Sequence, residues 1–214
     1  MKKSTMALVG VLFSGGAIAD GSIRIANDFL VRGSSQTDGS AAVQGSISKS
    51  FDNGMYVGVW GSNISFDGGL ELDTFAGWRG GDNVAWDVGV VHASYPNQSK
   101  HENGGLTSSF TEYYVTAAWN KLAVGYYHSP DYFSVGGREA GKNDYFYAEA
   151  NLLSLDDHSV DLHYGITKSR VFDYNDWSVT YTKSFDTIDF FIEQHGTSGM
   201  LHEDTTIVGI SKTF

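Results

Sequence analysis

The chain has 214 residues, no cysteine, 26 glycines, two prolines and a formal net charge of −11 at pH 7. This length fits one domain or two small ones, the lack of cysteine excludes disulfides and thiolate metal sites, and the acidity argues against a nucleic-acid partner. A disordered chain can be as acidic, but 41% hydrophobic and 14% aromatic residues exclude that class and favour an all-β protein.

Residues 1–19 have the pattern of a secretory signal peptide. Two lysines follow the first methionine, an apolar run covers Ala7 to Phe13, and Ala17-Ile18-Ala19 supplies small residues for cleavage. The run is too short to span a bilayer, so a signal is favoured over a buried N-terminal helix. We therefore predict a signal peptide over residues 1–19 and one domain over residues 20–214, exported through the periplasm.

Apolar and polar residues alternate with a period of two almost everywhere after residue 20, which is the pattern of β-strands with one apolar face. No apolar run is long enough for a membrane-spanning helix, whereas several strands have the roughly 9–11 residues that cross a bilayer at a tilt. The pattern predicts twelve strands, which are Ser22–Arg32, Ala41–Phe51, Met55–Ile64, Gly69–Arg79, Val84–Tyr95, Ser109–Trp119, Leu122–Ser129, Asn143–Leu153, His158–Lys168, Asn175–Phe185, Thr187–Gly196 and Glu203–Phe214.

The connections between these strands alternate in length. Those after even-numbered strands are short, such as Asp52-Asn53-Gly54 and Asn120-Lys121, whereas Gly33–Ser40, Pro96–Ser108 and Pro130–Lys142 are long. Short turns at one end, long loops at the other and an even strand number are typical of outer-membrane barrels, and nothing in a soluble sandwich sorts loops in this way. The predicted fold is all-β: a transmembrane, antiparallel, up-and-down β-barrel of about twelve strands, integral to the outer membrane of a Gram-negative bacterium.

The two faces of the predicted strands differ in polarity. On the fourth strand Leu70 and Leu72 alternate with Glu71 and Asp73. Because a dry core cannot hold unpaired ionised groups, the polar face is expected to line a watered lumen. The predicted lumen residues are the acids Glu71, Asp73, Asp87, Glu112, Glu149, Asp161, Asp189 and Glu193 and the bases Arg24, Arg32 and Arg79. This excess of acids favours cations, unless salt bridges close the barrel.

Aromatic residues stand beside the predicted short turns, where a barrel carries a girdle at the membrane interface. They are Phe51, Trp78, Trp86, Trp119, Phe185 and Phe214. An alternating last strand that closes on a terminal Phe is similar to the signal by which outer-membrane barrels are recognised for insertion. The predicted partners are therefore outer-membrane lipid and, through Phe214, the barrel-assembly machinery.

The sequence gives little support to enzymatic chemistry. Seven histidines are scattered without His-Glu-x-x-His or other paired spacing, so we predict no metal site, no cofactor and no catalytic residues. His92 and Ser94 share a face of the fifth strand, but two residues along one strand do not make a directed pair. No Gly-x-Ser-x-Gly elbow occurs; a lipid-acting barrel enzyme stays open as an alternative, since a triad can be built on any fold.

One part of the chain is similar to a known family. Asn27–Thr37, followed by Ala42–Gly45, resembles the opening of the proteobacterial TorF-type porins, and so do Tyr56–Asn63 and Leu70–Trp78. Family members often carry Pro where this chain has Ala41. The resemblance implies an outer-membrane barrel and a pore, without catalytic residues and without a defined solute. The residues of its signature loop are Arg32, Gly33, Ser35, Gln36 and Thr37.

These patterns predict a passive diffusion channel for small cationic or polar solutes, with both mature termini on the periplasmic side. A non-conducting barrel whose long loops bind a partner is the second hypothesis, and the barrel enzyme is the third. Within the channel we expect a charged constriction in which Arg32 meets Glu71 and Asp73, with Gln36 and Thr37 beside it. The alternative is that Arg32 only holds its loop against the adjoining wall.

Overall fold

The computed structural model describes residues 20–98, 108–132, 141–170, 173–199 and 204–214. Twelve strands form a closed antiparallel barrel, which confirms the predicted fold class and strand number, and two short strands form a separate hairpin. The strands in chain order are β1 (Asp20–Ala26), β2 (Leu30–Val31), β3 (Ser34–Ser35), β4 (Ala42–Ser50), β5 (Met55–Asn63), β6 (Leu70–Gly80), β7 (Ala85–Ser94), β8 (Phe110–Trp119), β9 (Leu122–Tyr132), β10 (Gly141–Leu155), β11 (His158–Ser169), β12 (Asp173–Phe185), β13 (Ile188–Gly199) and β14 (Asp204–Thr213).

The barrel closes between its first and last strands. β1 pairs with β14 from Ser22 opposite Thr213 to Ala26 opposite Gly209, and it pairs with β4 on its other side. The closed sheet gives each wall strand a hydrogen-bonded neighbour on both sides, which is the condition for a sheet that faces lipid. In the described parts of the chain no helix is long and apolar enough to cross a membrane. The predicted signal peptide lies outside the described residues.

The connections define two ends of the barrel. The turn end carries the short turns, the start of β1 at Asp20 and the last residue, Phe214, which donates its backbone N–H to the carbonyl of Gly21 at 2.8 Å. Two of its turns contain Asn120 and Asp186 with positive φ, a conformation that Asn and Asp adopt more readily than most residues. The opposite end, the loop end, carries the longer connections.

Two of the loops predicted at the loop end lie partly outside the described residues, and one of them also begins later than predicted. Pro130 belongs to β9, which continues to Tyr132, so the loop predicted from Pro130 to Lys142 starts too early. Its residues 133–140 lie outside the described residues, and so do residues 99–107 of the loop predicted from Pro96 to Ser108.

The outside of the barrel is apolar. Side chains that alternate along the strands are exposed there, among them Ile25, Ile47, Val59, Leu72, Val124, Phe146, Val179, Ile192 and Val208. The six aromatic residues predicted to form a girdle are all exposed at the turn end, from 44% for Phe51 and Trp78 to 70% for Phe214. A monomeric soluble protein rarely exposes so much contiguous apolar surface, whereas a bilayer covers it.

The first strand is shorter than predicted, and this changes the lumen. β1 ends at Ala26, and the chain then turns inward, so the strand predicted to run from Ser22 to Arg32 is wrong beyond that point. β2 and β3 pair as a hairpin around Arg32 and Gly33, whose φ angles of 51° and 79° mark the two central residues of a type I′ turn. Leu30 packs on a cluster formed by Ala26, Phe191 and Ile207, which favours the inward path. We call residues 28–37 the lumen hairpin.

Candidate functional site

One carboxylate ties the two ends of the lumen hairpin together. Asp28 is 4% exposed, and its Oδ1 accepts hydrogen bonds from the N–H of Phe29 at 2.7 Å, from the Ser35 hydroxyl at 2.7 Å and from the Thr37 hydroxyl at 2.6 Å. Such side-chain bonds to nearby backbone and hydroxyl groups are how Asp stabilises tight turns. The base of the hairpin is therefore held by its own sequence.

Replacing Asp28 by Ala is expected to loosen the hairpin without unfolding the barrel. Three donors lose a buried acceptor, and each such loss costs about 1–3 kcal/mol locally. Hydrogen exchange of the amides in residues 29–37 should become faster, while the amides of β10 to β13 keep their protection. Asp28→Asn retains an Oδ1 acceptor and serves as the control; equal exchange in both variants would contradict the assigned role of Oδ1.

Apolar contacts fix the hairpin to two parts of the wall. On one side Leu30 packs on the Ala26 cluster of β1, β13 and β14. On the other side the Phe29 ring lies 5.3 Å from that of Trp60. Phe29 also packs against a buried cluster formed by Ile64, Ala93, Tyr95 and Phe110. The hairpin is thus seated in the mouth of the lumen at the loop end.

The tip of the hairpin reaches across the lumen to the opposite wall. Arg32 Nη2 donates to Glu112 Oε1 at 2.8 Å and Oε2 at 2.9 Å, and Nη1 donates to Asn143 Oδ1 at 3.2 Å. In the strand order of the barrel, β8 and β10, which carry these partners, lie opposite β1. The Arg32 side chain is only 9% exposed, so this charge-assisted contact is shielded from solvent.

Three tyrosines surround the same guanidinium. The Arg32 Cζ lies 4.2 Å from the ring centroid of Tyr145, 5.6 Å from that of Tyr132 and 5.7 Å from that of Tyr127. These are cation–π distances, and such contacts are stronger where water is excluded. We call Glu112, Asn143, Tyr127, Tyr132 and Tyr145 the Arg32 pocket.

Gly33 seats the hairpin tip on a third part of the wall. A Cβ atom at Gly33 would lie 2.5 Å from Thr197 Cγ2, too close unless that side chain moves, and 3.1 Å from Asp176 Cβ, a tight contact. Its φ of 79° also disfavours any other residue. Glycine is therefore favoured here both by the turn and by the contact with β12 and β13.

The predicted charged constriction is wrong in its pairing. Arg32 contacts Glu112, not Glu71 or Asp73, and it does not hold its loop against the adjoining wall either. Glu71 Oε1 accepts a hydrogen bond from the Tyr95 hydroxyl at 3.2 Å. Glu71 Oε2 and Asp73 Oδ1 are buried and have no hydrogen-bond partner among the described residues. Asp73 is close enough to both Glu71 and Glu112 for their negative charges to repel.

All the predicted lumen residues on strands lie on the inward face, opposite the exposed apolar side chains. Two more arginines form pairs there: Arg24 with Glu193 at 2.8 Å and Arg79 with Asp87 at 3.0 Å. Of the other predicted acids on this face, Glu149 contacts His163, Asp161 accepts hydrogen bonds from Asn151 and Ser159, and Asp189 is half-buried near the turn end. The five residues of the signature loop all belong to the lumen hairpin, where Gln36 donates its backbone N–H to the Phe29 carbonyl at 2.7 Å.

The alternation places His163 on the inward face, but sequence reasoning did not foresee that this largely buried histidine lies between two carboxylates. His163 Nδ1 lies 3.0 Å from Glu149 Oε1, and its Nε2 lies 3.0 Å from Asp176 Oδ1 and 2.7 Å from the Tyr145 hydroxyl. Asp176 is 3% exposed, faces inward and also touches the hairpin tip through its Cβ. The inward phase of β11 and β12 was the signal that could have identified both residues, because alternation placed them on the polar face.

A wall of inward tyrosines was also missed as part of the site. Tyr114 stacks on Tyr127 at 5.1 Å between ring centroids, Tyr145 stacks on Tyr147 at 6.0 Å, and Tyr147 stacks on His163 at 5.6 Å. These rings lie on the inward faces of β8 to β11, next to Arg32. The inner surface therefore combines carboxylates with aromatic faces, two kinds of group that attract cations.

The features that could suggest other chemistry lie apart from this site. His92 and Ser94 are on the outward face of β7, where His92 contacts the Thr111 hydroxyl and Ser94 donates to the Leu72 carbonyl. Across the described ranges no group of three or more His, Cys, Asp or Glu residues could hold a metal ion.

A closed barrel with an apolar exterior, an interfacial aromatic girdle and a polar interior defines the outer-membrane class of porin-like barrels. Within that class, a family model described as "Bacterial protein of unknown function (Gcw_chp)" matches residues 14–195, and the chain belongs to this bacterial family. The description of this family does not mention porins, so the likeness to TorF-type porins stays a prediction. Comparison with curated proteins gave no match.

Solved porin structures share the fold. The KdgM porin is similar with a TM-score of 0.60 at 14% identity, over 92% of this chain and 98% of that one. The NanC porin gives 0.58 at 10% identity, over 91% and 99%. A second structure is the KdgM porin in complex with disordered oligogalacturonate, with a TM-score of 0.60 at 12% identity over 92% and 98%. At such identities the likeness concerns the fold alone.

Proposed function

We propose that the protein is a passive, non-enzymatic diffusion channel of the outer membrane that prefers small cationic or polar solutes, with a bore limited by the lumen hairpin. The observation that carries the proposal is the charge of the inner wall. Its arginines, Arg24, Arg32 and Arg79, are each paired with one carboxylate. The inward acids are more numerous: Glu71, Asp73, Asp87, Glu112, Glu149, Asp161, Asp176, Asp189 and Glu193.

Two of the acids without an arginine partner lie near the loop end, where we propose that a solute enters. Glu71 and Asp73 are the second and fourth residues of β6, which begins at the loop end. Both side chains are on the inward face, Asp73 lies near Glu112, and neither carboxyl group has an arginine partner among the described residues. We propose that this excess of carboxyl groups gives the mouth a net negative charge. In a narrow, low-dielectric bore such charge raises the local concentration of cations and lowers that of anions.

This charge bears on the kind of solute that the barrel would accept. Oligogalacturonate, the ligand in the KdgM porin complex, is a chain of carboxylated sugars and therefore a polyanion. A wall rich in carboxylates repels a polyanion and attracts a cation. We therefore propose that the two barrels share their architecture but differ in the charge of the solute.

The topology of the proposed channel follows from its connections. We place the turn end, with both chain termini and the aromatic girdle, on the periplasmic side, and the loop end with the hairpin outside. Outer-membrane lipid covers the apolar exterior, and the assembly machinery recognises the last strand and Phe214. The acidic lumen mouth then faces the medium from which solutes enter.

Planar bilayers test the proposal directly. The refolded protein is expected to conduct, and its reversal potential in a salt gradient should show cation preference. Glu71→Gln combined with Asp73→Asn removes two negative charges from the mouth and should shift the reversal potential towards that of an unselective pore. The control combines Asp52→Asn with Asp82→Asn, which removes two negative charges at the turn end. This control should shift the reversal potential less. A protein that inserts but stays silent, or that prefers anions, would overturn the proposed function.

A further inference from the structure

We propose that Arg32 is an internal ligand of the Arg32 pocket, and that this pocket is a binding site for organic cations with a planar guanidinium group. A solute of this class would take the place of Arg32 and release the tip of the lumen hairpin. The inference rests on the proposed function, because it names a solute class for the proposed channel.

The pocket has the chemistry of a guanidinium site. The Glu112 carboxylate accepts from one terminal nitrogen, the Asn143 amide oxygen accepts from the other, and the Tyr145 ring covers the face of the group at 4.2 Å. A planar cation with donors along its edges satisfies all three at once, whereas a compact ammonium cannot. The pocket is therefore selective by shape as well as by charge.

The wall supplies every pocket residue, whereas the loop supplies the present occupant. Glu112 is on β8, Tyr127 and Tyr132 are on β9, and Asn143 and Tyr145 are on β10, three adjacent strands of the closed sheet. Arg32 comes from a hairpin whose two strands have two residues each. The pocket therefore keeps its shape when the hairpin moves, and the part that can leave is the arginine.

An empty pocket would be unfavourable and would attract another cation. The pocket is shielded from solvent, because Glu112 is 8% exposed and Tyr145 is 5% exposed. Loss of Arg32 would therefore leave the Glu112 carboxylate largely buried and without a counter-charge. Removing one partner of a buried ion pair is strongly destabilising for this reason. Asp73 lies near both Glu112 and Glu71, so a cation that enters this region meets several carboxyl groups close together.

Competition with Arg32 limits which solutes bind. A group tethered by a short loop competes as if it were present at millimolar concentration. A free guanidinium compound must exceed that concentration or make further contacts, and the Tyr127 and Tyr145 rings, whose centroids are 6.5 Å apart, offer such contacts. Binding of the solute and movement of the hairpin are then coupled, so the solute opens its own path.

Titration calorimetry in detergent micelles tests the site independently of conduction. The probe is methylguanidinium, and methylammonium is the control cation. Arg32→Ala vacates the pocket and is expected to bind methylguanidinium about ten-fold more tightly than the wild type, or better, because the tethered competitor is gone. Methylammonium should show no such gain, and Arg32→Ala with Glu112→Gln should lose it.

The outcomes separate this inference from the proposed function. Binding to Arg32→Ala that is no tighter than to wild type, or that survives Glu112→Gln, overturns the internal-ligand assignment even if the channel conducts cations. Tight and Glu112-dependent binding to a barrel that never conducts supports the site and overturns the channel. If Arg32→Ala does not fold, Arg32→Gln replaces it, because glutamine keeps hydrogen-bonding groups without the charge. The inference then requires that Arg32→Gln bind methylguanidinium about ten-fold more tightly than the wild type and that Glu112→Gln remove this gain.

Discussion

A variant in which residues 29–36 are replaced by a short glycine linker is expected to conduct several times more current per channel than the wild type. The hairpin leaves the wall at β1 and its tip binds Glu112 and Asn143 on the opposite wall. It therefore crosses the lumen instead of lining it. Removing it takes away the side chains that narrow the bore, including the ring of Phe29 and the guanidinium of Arg32.

Single-channel recording in planar bilayers measures this effect, and a reversible cross-link provides its control. The chain has no cysteine, so Gly33→Cys with Thr197→Cys introduces the one possible disulfide. Gly33 and the Thr197 side chain are in contact, which allows the bond, although Cys at a positive φ costs some stability. The oxidised cross-linked protein is expected to stay at the lowest conductance, and reduction should restore the wild-type value.

Unchanged conductance would show that the bore is limited elsewhere. A linker variant that folds but conducts like wild type contradicts the role given to the hairpin. Heat-dependent migration on a detergent gel establishes whether the variant barrel is folded, because the deletion also removes the packing of Leu30 on Phe191 and Ile207. A linker variant that is folded and has the conductance of the wild type would therefore contradict the role of the hairpin.

The wall of the barrel could be predicted because it is periodic. Each strand has one face towards lipid and one towards the lumen, so polarity alternates along the sequence and identifies both the strands and their inward residues. Arg79 and Asp87 are even directly opposite in the register of β6 and β7, close in sequence and joined by a short turn. Local patterns of this kind carry enough information for the fold.

The contents of the lumen could not be predicted in the same way. Phe29 and Val31 continue the apolar phase of β1, although they belong to the lumen hairpin, and the glycine at position 33 was the main local signal of a turn. The partner of Arg32 is 80 residues away in sequence, and its identity depends on where the hairpin points. Alternation says that both groups face inward, but not which groups meet across the lumen.

A comparison of two arginine substitutions on neighbouring strands is expected to separate the lipid face from the lumen face. Leu162→Arg should lower the free energy of unfolding by about 2–4 kcal/mol, the cost of an arginine near the bilayer midplane. Leu162 is on the outward face of β11, opposite Val179 of β12. Thr180→Arg, the matched substitution, should cost much less.

The two losses of unfolding free energy are expected to differ because Leu162 and Thr180 lie at similar heights of the barrel but in different surroundings. Thr180 follows Val179 on β12 but points inward, and its partners in the register are Asp161 on one side and Glu193 on the other. An arginine at Thr180 gains two carboxylates and water, whereas one at Leu162 meets only apolar side chains and lipid. Urea unfolding of the two proteins in lipid vesicles, followed by tryptophan fluorescence, measures the difference. Equal losses at the two positions would mean that the inward and outward faces, and with them the acidic lumen, are assigned wrongly.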